Sequence, residues 1–236
     1  MKKATTLLLV SFISFGVSAQ KVIEKNIEFN GQYIDVELPF ASSIEVKTWD
    51  KSTVYFKANI QAIEAKYLDL YKLEVSQSDT SIDIASDTKA VFKAFEEDWK
   101  KQKLNKKMYG YTIDMYDFNY VLYVPKNATF KLTSINGSMK SEIIEGDFEA
   151  DLINGDIDIK QYRGNLDLRT INGEIDLKVS NASFVAETIH GNIYADEKLN
   201  LKSHDKHVGQ KVTSNIANSK NRLELNTING NMYLRM

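Results

Sequence analysis

The sequence predicts an all-β protein whose main part is a right-handed parallel β-solenoid-like repeat domain. Three observations lead to this fold class: Ile-Asn-Gly recurs at a constant spacing, glycines fall midway between several copies, and apolar and polar residues alternate between them. A fixed repeat period is the mark of a repeat architecture, and alternation with period two is typical of strands buried on one face. A β-rich N-terminal part with one helical insertion precedes the repeats.

The first 19 residues have the features of a secretory signal peptide. Lys2 and Lys3 precede a mostly apolar run from Leu7 to Val17, and small residues end at Ala19, where we expect cleavage. The run is short for a bilayer span, although a membrane anchor is the alternative interpretation. The chain has no cysteine, so neither a lipid-modified cysteine nor a disulfide is expected. We therefore expect an exported protein with no integral membrane segment after cleavage.

Residues 20–119 are interpreted as a β-rich N-terminal or capping segment. Short runs of alternating residues are separated by turn residues such as Asn30-Gly31, Pro39 and Ser78-Asp79. A solenoid end exposes an open sheet edge, which natural proteins cover. This segment is expected to supply the first turns or that cover.

Residues 88–107 differ from their surroundings and predict an amphipathic helix. Phe92, Phe95 and Trp99 lie three and four residues apart, on a helix face opposite charged residues. The aromatic face is expected to pack against the solenoid. Docking on a membrane surface or on a partner protein remain alternatives.

A tyrosine-rich stretch follows the helix, with tyrosines at positions 109, 111, 116, 120 and 123. An exposed row of aromatic rings can stack on sugars. However, Tyr116, Phe118, Tyr120 and Leu122 share one face of a predicted strand, and such a face usually enters the core. We expect a core role and keep ligand binding as the alternative.

Residues 120–236 form the predicted repeat domain. The glycines Gly137, Gly155, Gly173 and Gly191 are each 18 residues apart, and the final copy, at Gly230, follows a longer interval. Each 18-residue turn is read as two nine-residue units, with strands pairing in parallel between residues i and i+18. The glycines are expected at corners with positive φ, and the hand should be right-handed. Asn-Gly also favours hairpins, so an antiparallel meander is the competing fold.

The asparagines of the motif should stack along one edge of the solenoid. Amide side chains at strand spacing can hydrogen-bond up such a column. The predicted corner residues are Asn136, Gly137, Asn154, Gly155, Asn172, Gly173, His190, Gly191, Asn229 and Gly230. His190 is expected to interrupt the amide column. The alternative is a row of polar ligands for a bound molecule.

These repeats resemble a known family. The segments YVLYVPKNATFKLTSINGSM and NRLELNTINGNMYLR, with the TINGxIxL repeats between them, are similar to the DUF4097 family of adhesin-like bacterial exported proteins and its head GIN relatives. The resemblance implies an envelope or surface protein with β-strand repeats, and some relatives are associated with envelope-stress signalling. It supplies no catalytic residues. The sequence departs from the pattern at His190, at Ala182 and in its charged insertion.

Little in the sequence points to catalytic or metal chemistry. His204 and His207, beside Asp205, offer an incomplete zinc-ligand set. The stacked pairs Asp156–Glu174 and Asp158–Asp176 either share a cation or are neutralised by Lys160 and Lys178. No nucleophile elbow or phosphate-binding loop is present. We expect no enzyme, no cofactor, no bound metal and no catalytic residue.

The composition also limits the partners. A formal net charge of −2 argues against nucleic-acid binding. The leading hypothesis is a non-enzymatic, adhesin-like binding or structural module that uses flat solenoid faces against an envelope protein or a glycan. The alternative is an extracytoplasmic component of envelope-stress signalling, and a polysaccharide lyase or hydrolase is the third hypothesis. No sorting module follows Met236, which favours the periplasm over the cell surface.

Overall fold

The computed structural model describes residues 19–101, 115–180, 182–204, 206–216 and 219–236. The predicted signal peptide up to Ser18, the predicted helical residues 102–107, and Tyr109 and Tyr111 lie outside these ranges. Asp205, part of the candidate zinc-ligand set, also lies outside them.

The described residues form 19 strands, two α-helices and one short 3-10 helix, which confirms the all-β class. The helices are α1 Ala65–Leu68, α2 Lys89–Lys101 and the 3-10 helix Glu197–Leu199. The strands are β1 Ala19–Glu28, β2 Tyr33–Glu37, β3 Phe40–Trp49, β4 Thr53–Ala62, β5 Lys72–Gln77, β6 Ser81–Asp87, β7 Tyr116–Pro125, β8 Ala128–Ser141, β9 Ile144–Asn154, β10 Ile157–Ile159, β11 Tyr162–Arg163, β12 Leu166–Asn172, β13 Ile175–Lys178, β14 Ala182–Thr188, β15 Ile193–Ala195, β16 Lys202–His204, β17 Gln210–Ser214, β18 Asn221–Asn229 and β19 Met232–Arg235.

The strands pair into two faces that share one core and meet at β8. The first half of β8 pairs with β2 and β9, whereas its second half pairs with β3 and β10. The first face runs in the order β5, β6, β2, β8, β9, β12, β18, β14, β17, β16. The second face runs in the order β1, β4, β7, β3, β8, β10, β13, β19, β15. The N-terminal segment is thus continuous with the repeats.

The central repeats pair in parallel with an offset of 18 residues. Leu166 lies beside Phe148 on the first face, and Ile175 lies beside Ile157 on the second. Within β12, Leu166, Leu168 and Thr170 point into the core while the residues between them face outward. The alternation in the sequence therefore reports the buried face, and these strands do not form the competing antiparallel meander. The handedness of the coil stays a prediction.

The expected sequential stacking is wrong beyond β13. The last copy, β18 and β19, lies between the preceding two: Leu223 pairs with Leu166 on one side and with Phe184 on the other. The far edge of β14 pairs antiparallel with β17, which continues into β16. This hairpin covers an edge that would otherwise stay open, and the last copy occupies the position beneath it.

Gly209 takes no part in the stacked corners, contrary to the spacing argument. It lies between β16 and β17 with φ of +78°, in the connection of the terminal hairpin. A Cβ built on it would press against the carbonyl oxygen of Thr188. Its spacing from Gly191 therefore does not reflect another turn of the stack.

The motif glycines are required mainly for a different reason from the one expected. Gly137 has a positive φ of +110°, but Gly155, Gly173, Gly191 and Gly230 do not. At each of these four, a Cβ atom would lie within 3.0 Å of the carbonyl oxygen of the neighbouring motif glycine. Side-chain absence thus permits close stacking of backbones, and the positive-φ explanation is wrong at these four positions.

Helix α2 packs its aromatic face on the β-structure, in agreement with the leading expectation. The Phe92 ring lies 4.5 Å from that of Phe40 and 5.2 Å from that of Tyr116, and the Phe95 ring lies 4.3 Å from that of Tyr67. Phe92 and Phe95 are buried. Neither this helix nor any other within the described ranges has the length and apolar character to cross a membrane.

The tyrosine-rich strand β7 contributes to the core as expected. Phe118, Tyr120 and Leu122 are buried, and Tyr116 is half-buried. The Tyr120 hydroxyl lies 3.3 Å from that of Tyr71, so the buried polar atom has a partner. Burial, followed by the nearby Tyr71, governs this pair, and desolvation raises the pKa of Tyr120 to about 12.

Close glycine stacking predicts a specific pattern of stability. Gly173→Ala should lower the free energy of unfolding by about 3 kcal/mol, because the added methyl meets the rigid backbone of the neighbouring turn. Gly31→Ala is the control: its φ is +91° but nothing lies within 4 Å of the new Cβ, so it should cost about 1 kcal/mol. Urea denaturation followed by circular dichroism measures both. A larger loss for Gly31→Ala would restore the positive-φ explanation.

Candidate functional site

The threonine of the Thr-Ile-Asn-Gly motif holds neighbouring turns together. The hydroxyl of Thr170 donates to the carbonyl of Gly155 at 2.8 Å, and that of Thr227 donates to Gly173 at 3.0 Å. Thr188 repeats the bond to Gly230 at 3.0 Å. All three threonines are buried, and each bond satisfies a hydroxyl that would otherwise be costly to bury.

The asparagine side chains of the motif hydrogen-bond along the edge of the stack. Asn154 donates from Nδ2 to Oδ1 of Asn136 at 3.0 Å, Asn172 donates to Asn154 at 2.8 Å, and Asn229 donates to Asn172 at 2.8 Å. His190 does not interrupt this series, because β18 lies between β12 and β14 and places Asn229 next to Asn172. The expected position of His190 within the column is therefore wrong: its backbone N–H donates to Ile228 at 2.7 Å, one strand further on.

The isoleucine of the motif faces solvent. Five of them lie in one column across β8, β9, β12, β18 and the end of β14, and each exposes between 37% and 42% of its surface. We call this set the isoleucine column: Ile135, Ile153, Ile171, Ile228 and Ile189. Strands about 4.8 Å apart make the column roughly 19 Å long. Contiguous apolar surface of this kind often marks an interaction site.

Two shallow grooves lie on the same face as the column, across β9, β12, β18 and β14. One, of about 320 Å³, is bordered by Ile171, Ile228 and Ile189; the other, of about 290 Å³, adjoins it toward the N-terminal ends of the strands. Six carboxylates and two arginines line them. We call these carboxylates the acidic face: Asp147, Glu149, Asp151, Asp167, Glu187 and Glu224.

Several acidic-face carboxylates already have cationic partners. Lys131 pairs with Glu149 at 2.7 Å, and Arg169 pairs with Asp167 at 2.6 Å. Glu187 pairs with Lys206 and with Lys211, the latter at 3.3 Å. Within the described ranges, Asp147, Asp151 and Glu224 form no ion pair. Asp147 instead accepts hydrogen bonds from Asn165.

Asp167 sits at the centre of a row of three carboxylates. Glu149 and Glu224 are its register neighbours on the two adjoining strands. Burial raises the pKa of Asp167, and the charges of Glu224 and Glu149 raise it further against the opposing effect of Arg169. Its Oδ1 is buried and accepts no hydrogen bond from the described residues. This atom therefore has an unused capacity to accept a hydrogen bond.

The carboxylate pairs considered for a cation lie on or beside the second face. Asp158 pairs with Lys160 at 2.7 Å, and Asp176 pairs with Arg235 at 2.5 Å, so the second neutralising group is Arg235 rather than Lys178. Asp156 accepts from the backbone N–H of Glu174 at 2.8 Å. His204 lies 2.9 Å from the Thr213 hydroxyl. Among the described residues, no cluster of three or more candidate ligands has the geometry to hold a metal ion.

Two aromatic groups on the outer surface were not predicted as clusters. Trp49, Tyr55 and Tyr123 form one, with ring centroids 4.9 to 6.2 Å apart. Tyr194 stacks on Tyr233 at 5.4 Å near the end of the second face. Their members are distant in sequence, so only the strand pairing could have revealed them. Lys51 lies 4.5 Å from the Trp49 ring, which covers part of the first cluster.

Comparisons with known proteins bear on the fold. No family model matches the chain, and no match was found among curated proteins. The chain is similar to the crystal structure of a proposed cell adhesion protein from Clostridium sporogenes, with 13% identity, a TM-score of 0.59, and 92% of this chain and 99% of that chain covered. This similarity shows a shared fold.

Two further crystal structures are more distantly similar. A proposed lipid binding protein from Parabacteroides distasonis has 12% identity and a TM-score of 0.33, with 75% of this chain and 70% of that chain covered. A proposed adhesin from Bacteroides fragilis has 7% identity and a TM-score of 0.33, with 91% and 97% covered. These scores are too low to support an argument.

The amide hydrogen bonds predict graded losses of stability along the column. Asn172 both donates and accepts, so Asn172→Ala should cost about 1 kcal/mol, whereas Asn136→Ala removes one bond and should cost about half of that. Urea denaturation of both variants measures the difference. Equal losses would mean that the bonds contribute nothing and that only strand propensity changed.

The carboxylate row predicts a measurable electrostatic coupling. Glu224→Gln should lower the pKa of Asp167, because it removes a negative charge next to the buried carboxyl. Since burial and its neighbours raise the folded-state pKa of Asp167, the protein should lose stability as pH rises through that pKa, and Glu224→Gln should reduce this loss. Carbon-detected NMR titration reports the pKa. Glu74→Gln, on β5, is the control, and an Asp167 titration that Glu224→Gln does not move would refute the coupling.

Proposed function

We propose that this chain is an exported, non-enzymatic, adhesin-like binding module of the bacterial envelope, which recognises its partner through the isoleucine column. In this proposal the repeats form a right-handed β-solenoid of the DUF4097 type, and the mature protein acts in the periplasm. The predicted signal peptide at residues 1–19 supports export.

The division of labour within the motif carries this proposal. Threonine bonds to the neighbouring turn, asparagine bonds to its own kind, and glycine permits close approach. Isoleucine is the one residue of the four whose exposed surface has no structural use of this sort. Strand propensity alone does not require isoleucine there, because threonine is also β-branched and is better solvated. Five stacked, exposed isoleucines are therefore best explained by contact with another molecule.

The shared fold adds a weaker line of support. The Clostridium sporogenes structure bears a name that proposes a role in cell adhesion, and it is similar over most of both chains. A flat parallel sheet that presents repeated identical side chains suits recognition by contact. The signalling hypothesis uses the same kind of contact, with a membrane sensor as the partner.

Binding is tested by changing the isoleucine column without disturbing the core. The mature chain and a variant with Ile153→Thr, Ile171→Thr and Ile228→Thr are used to capture partners from cross-linked cells. We expect the variant to lose at least 90% of the specific capture, because it removes exposed apolar surface and keeps β-branching. Unfolding free energy should change by less than about 0.5 kcal/mol per substitution, as is usual at exposed positions.

The matched control carries Val22→Thr and Ile63→Thr, which are also exposed aliphatic residues but lie outside the column. It should capture as the native sequence does. If all three forms capture the same partners, or none captures any, the proposed function fails. Deleting residues 88–107 is a poor test, because α2 buries Phe92 and Phe95 against the fold.

A further inference from the structure

We propose that the isoleucine column and the acidic face form one docking surface, whose occupant is a basic segment of another protein that carries aliphatic side chains beside its lysines or arginines. This inference deepens the proposed function and rests on it. It identifies the chemistry of the partner and the side of the column on which its charges lie.

The apolar and acidic groups run as parallel stripes. Asp151 precedes Ile153 by two residues, while Asp167 and Glu224 precede Ile171 and Ile228 by four. Outward-facing residues two and four apart on a strand are separated by about 7 and 13 Å. A segment lying along the stack can therefore place aliphatic groups on the column and cationic groups over the grooves at the same time.

The charge of this surface is not balanced from within. The nearby cations Lys131, Arg169 and Lys211 are already paired with Glu149, Asp167 and Glu187. The carboxylates of Asp151 and Glu224 form no ion pair within the described ranges, and Oδ1 of Asp167 accepts no hydrogen bond there. Ammonium and guanidinium groups supply N–H donors and positive charge together, so they complement both features.

The same observations disfavour other occupants. A second copy of this chain, placed face to face, would bring acidic face against acidic face and be repelled. Anionic lipid is repelled for the same reason. Saccharides usually stack on exposed aromatic rings, yet Tyr33 is the one exposed aromatic residue among those that border the grooves. A cationic polypeptide fits the surface best.

The first test uses a 14-residue amphipathic peptide of leucine and lysine with the mature chain. A helix of this length spans about 21 Å, close to the length of the column. We expect the leucine–lysine peptide to bind in isothermal titration calorimetry. Two matched peptides should bind at least tenfold more weakly: one replaces lysine by glutamate, and the other replaces leucine by serine.

Variants assign the two stripes. Asp151→Asn with Glu224→Gln should weaken binding at least fivefold and reduce its dependence on salt. The Ile153→Thr, Ile171→Thr, Ile228→Thr variant should weaken it at least tenfold. Glu28→Gln with Glu74→Gln removes two carboxylates from other surfaces and should change affinity less than twofold, as should Val22→Thr with Ile63→Thr.

Other results overturn the inference. It fails if the glutamate peptide binds as well as the lysine peptide, or if the Asp151/Glu224 variant binds as the native chain does. It also fails if sedimentation shows a dimer that the isoleucine substitutions abolish, since the column would then serve a second copy. Anionic vesicles of phosphatidylglycerol and a neutral glycan array should show no binding that depends on the column.

The cellular capture experiment separates this failure from failure of the proposed function. If capture requires the isoleucine column but survives Asp151→Asn with Glu224→Gln, binding through the column stands and the basic-partner inference falls. If capture is lost with either variant, both stand. If capture depends on neither, both fall.

Discussion

The close approach of glycine backbones at one edge of the stack constrains the rest of this structure. At Gly155, Gly173, Gly230 and Gly191, the carbonyl oxygen of the neighbouring glycine occupies the space that a Cβ atom would need. Because no side chain fits there, adjacent turns can come into direct backbone contact at this edge. The four glycines lie on successive strands, so the same constraint is repeated at each level of the stack.

The other residues of the motif follow from this contact. The carbonyls of Gly155 and Gly173 receive the buried hydroxyls of Thr170 and Thr227, which satisfies polar atoms that close packing has removed from water. One residue beyond the isoleucine, the amide side chains reach each other along the edge. Each inward or edge position thus has a defined partner in the next turn. The isoleucine position faces outward between them, and this leaves it available for recognition.

The sequence predicted the parts of the fold that depend on local period. Alternation identified the core residues of β12 and β13, and the helical spacing of Phe92 and Phe95 identified the packed face of α2. The order of the last strands could not be predicted in this way, because the copies containing Asn172, His190 and Asn229 present nearly the same pairing surface. An 18-residue spacing shows that turns are alike but does not say which lie side by side. The role of the glycines was misjudged for a related reason, since a close backbone approach depends on the neighbouring turn.

The insertion of the last copy also creates the candidate site. If the turns stacked in chain order, Val185 would be the register neighbour of Asp167, and the carboxylate row would end there. Because β18 lies between β12 and β14, Glu224 takes that position, and Val185 moves one strand further away. The isoleucine column hardly changes in composition, since Ile228 is added between Ile171 and Ile189. Topology therefore turns an apolar column beside a mixed surface into an apolar column beside an acidic one, and the chemistry proposed for the partner depends on that single choice of strand order.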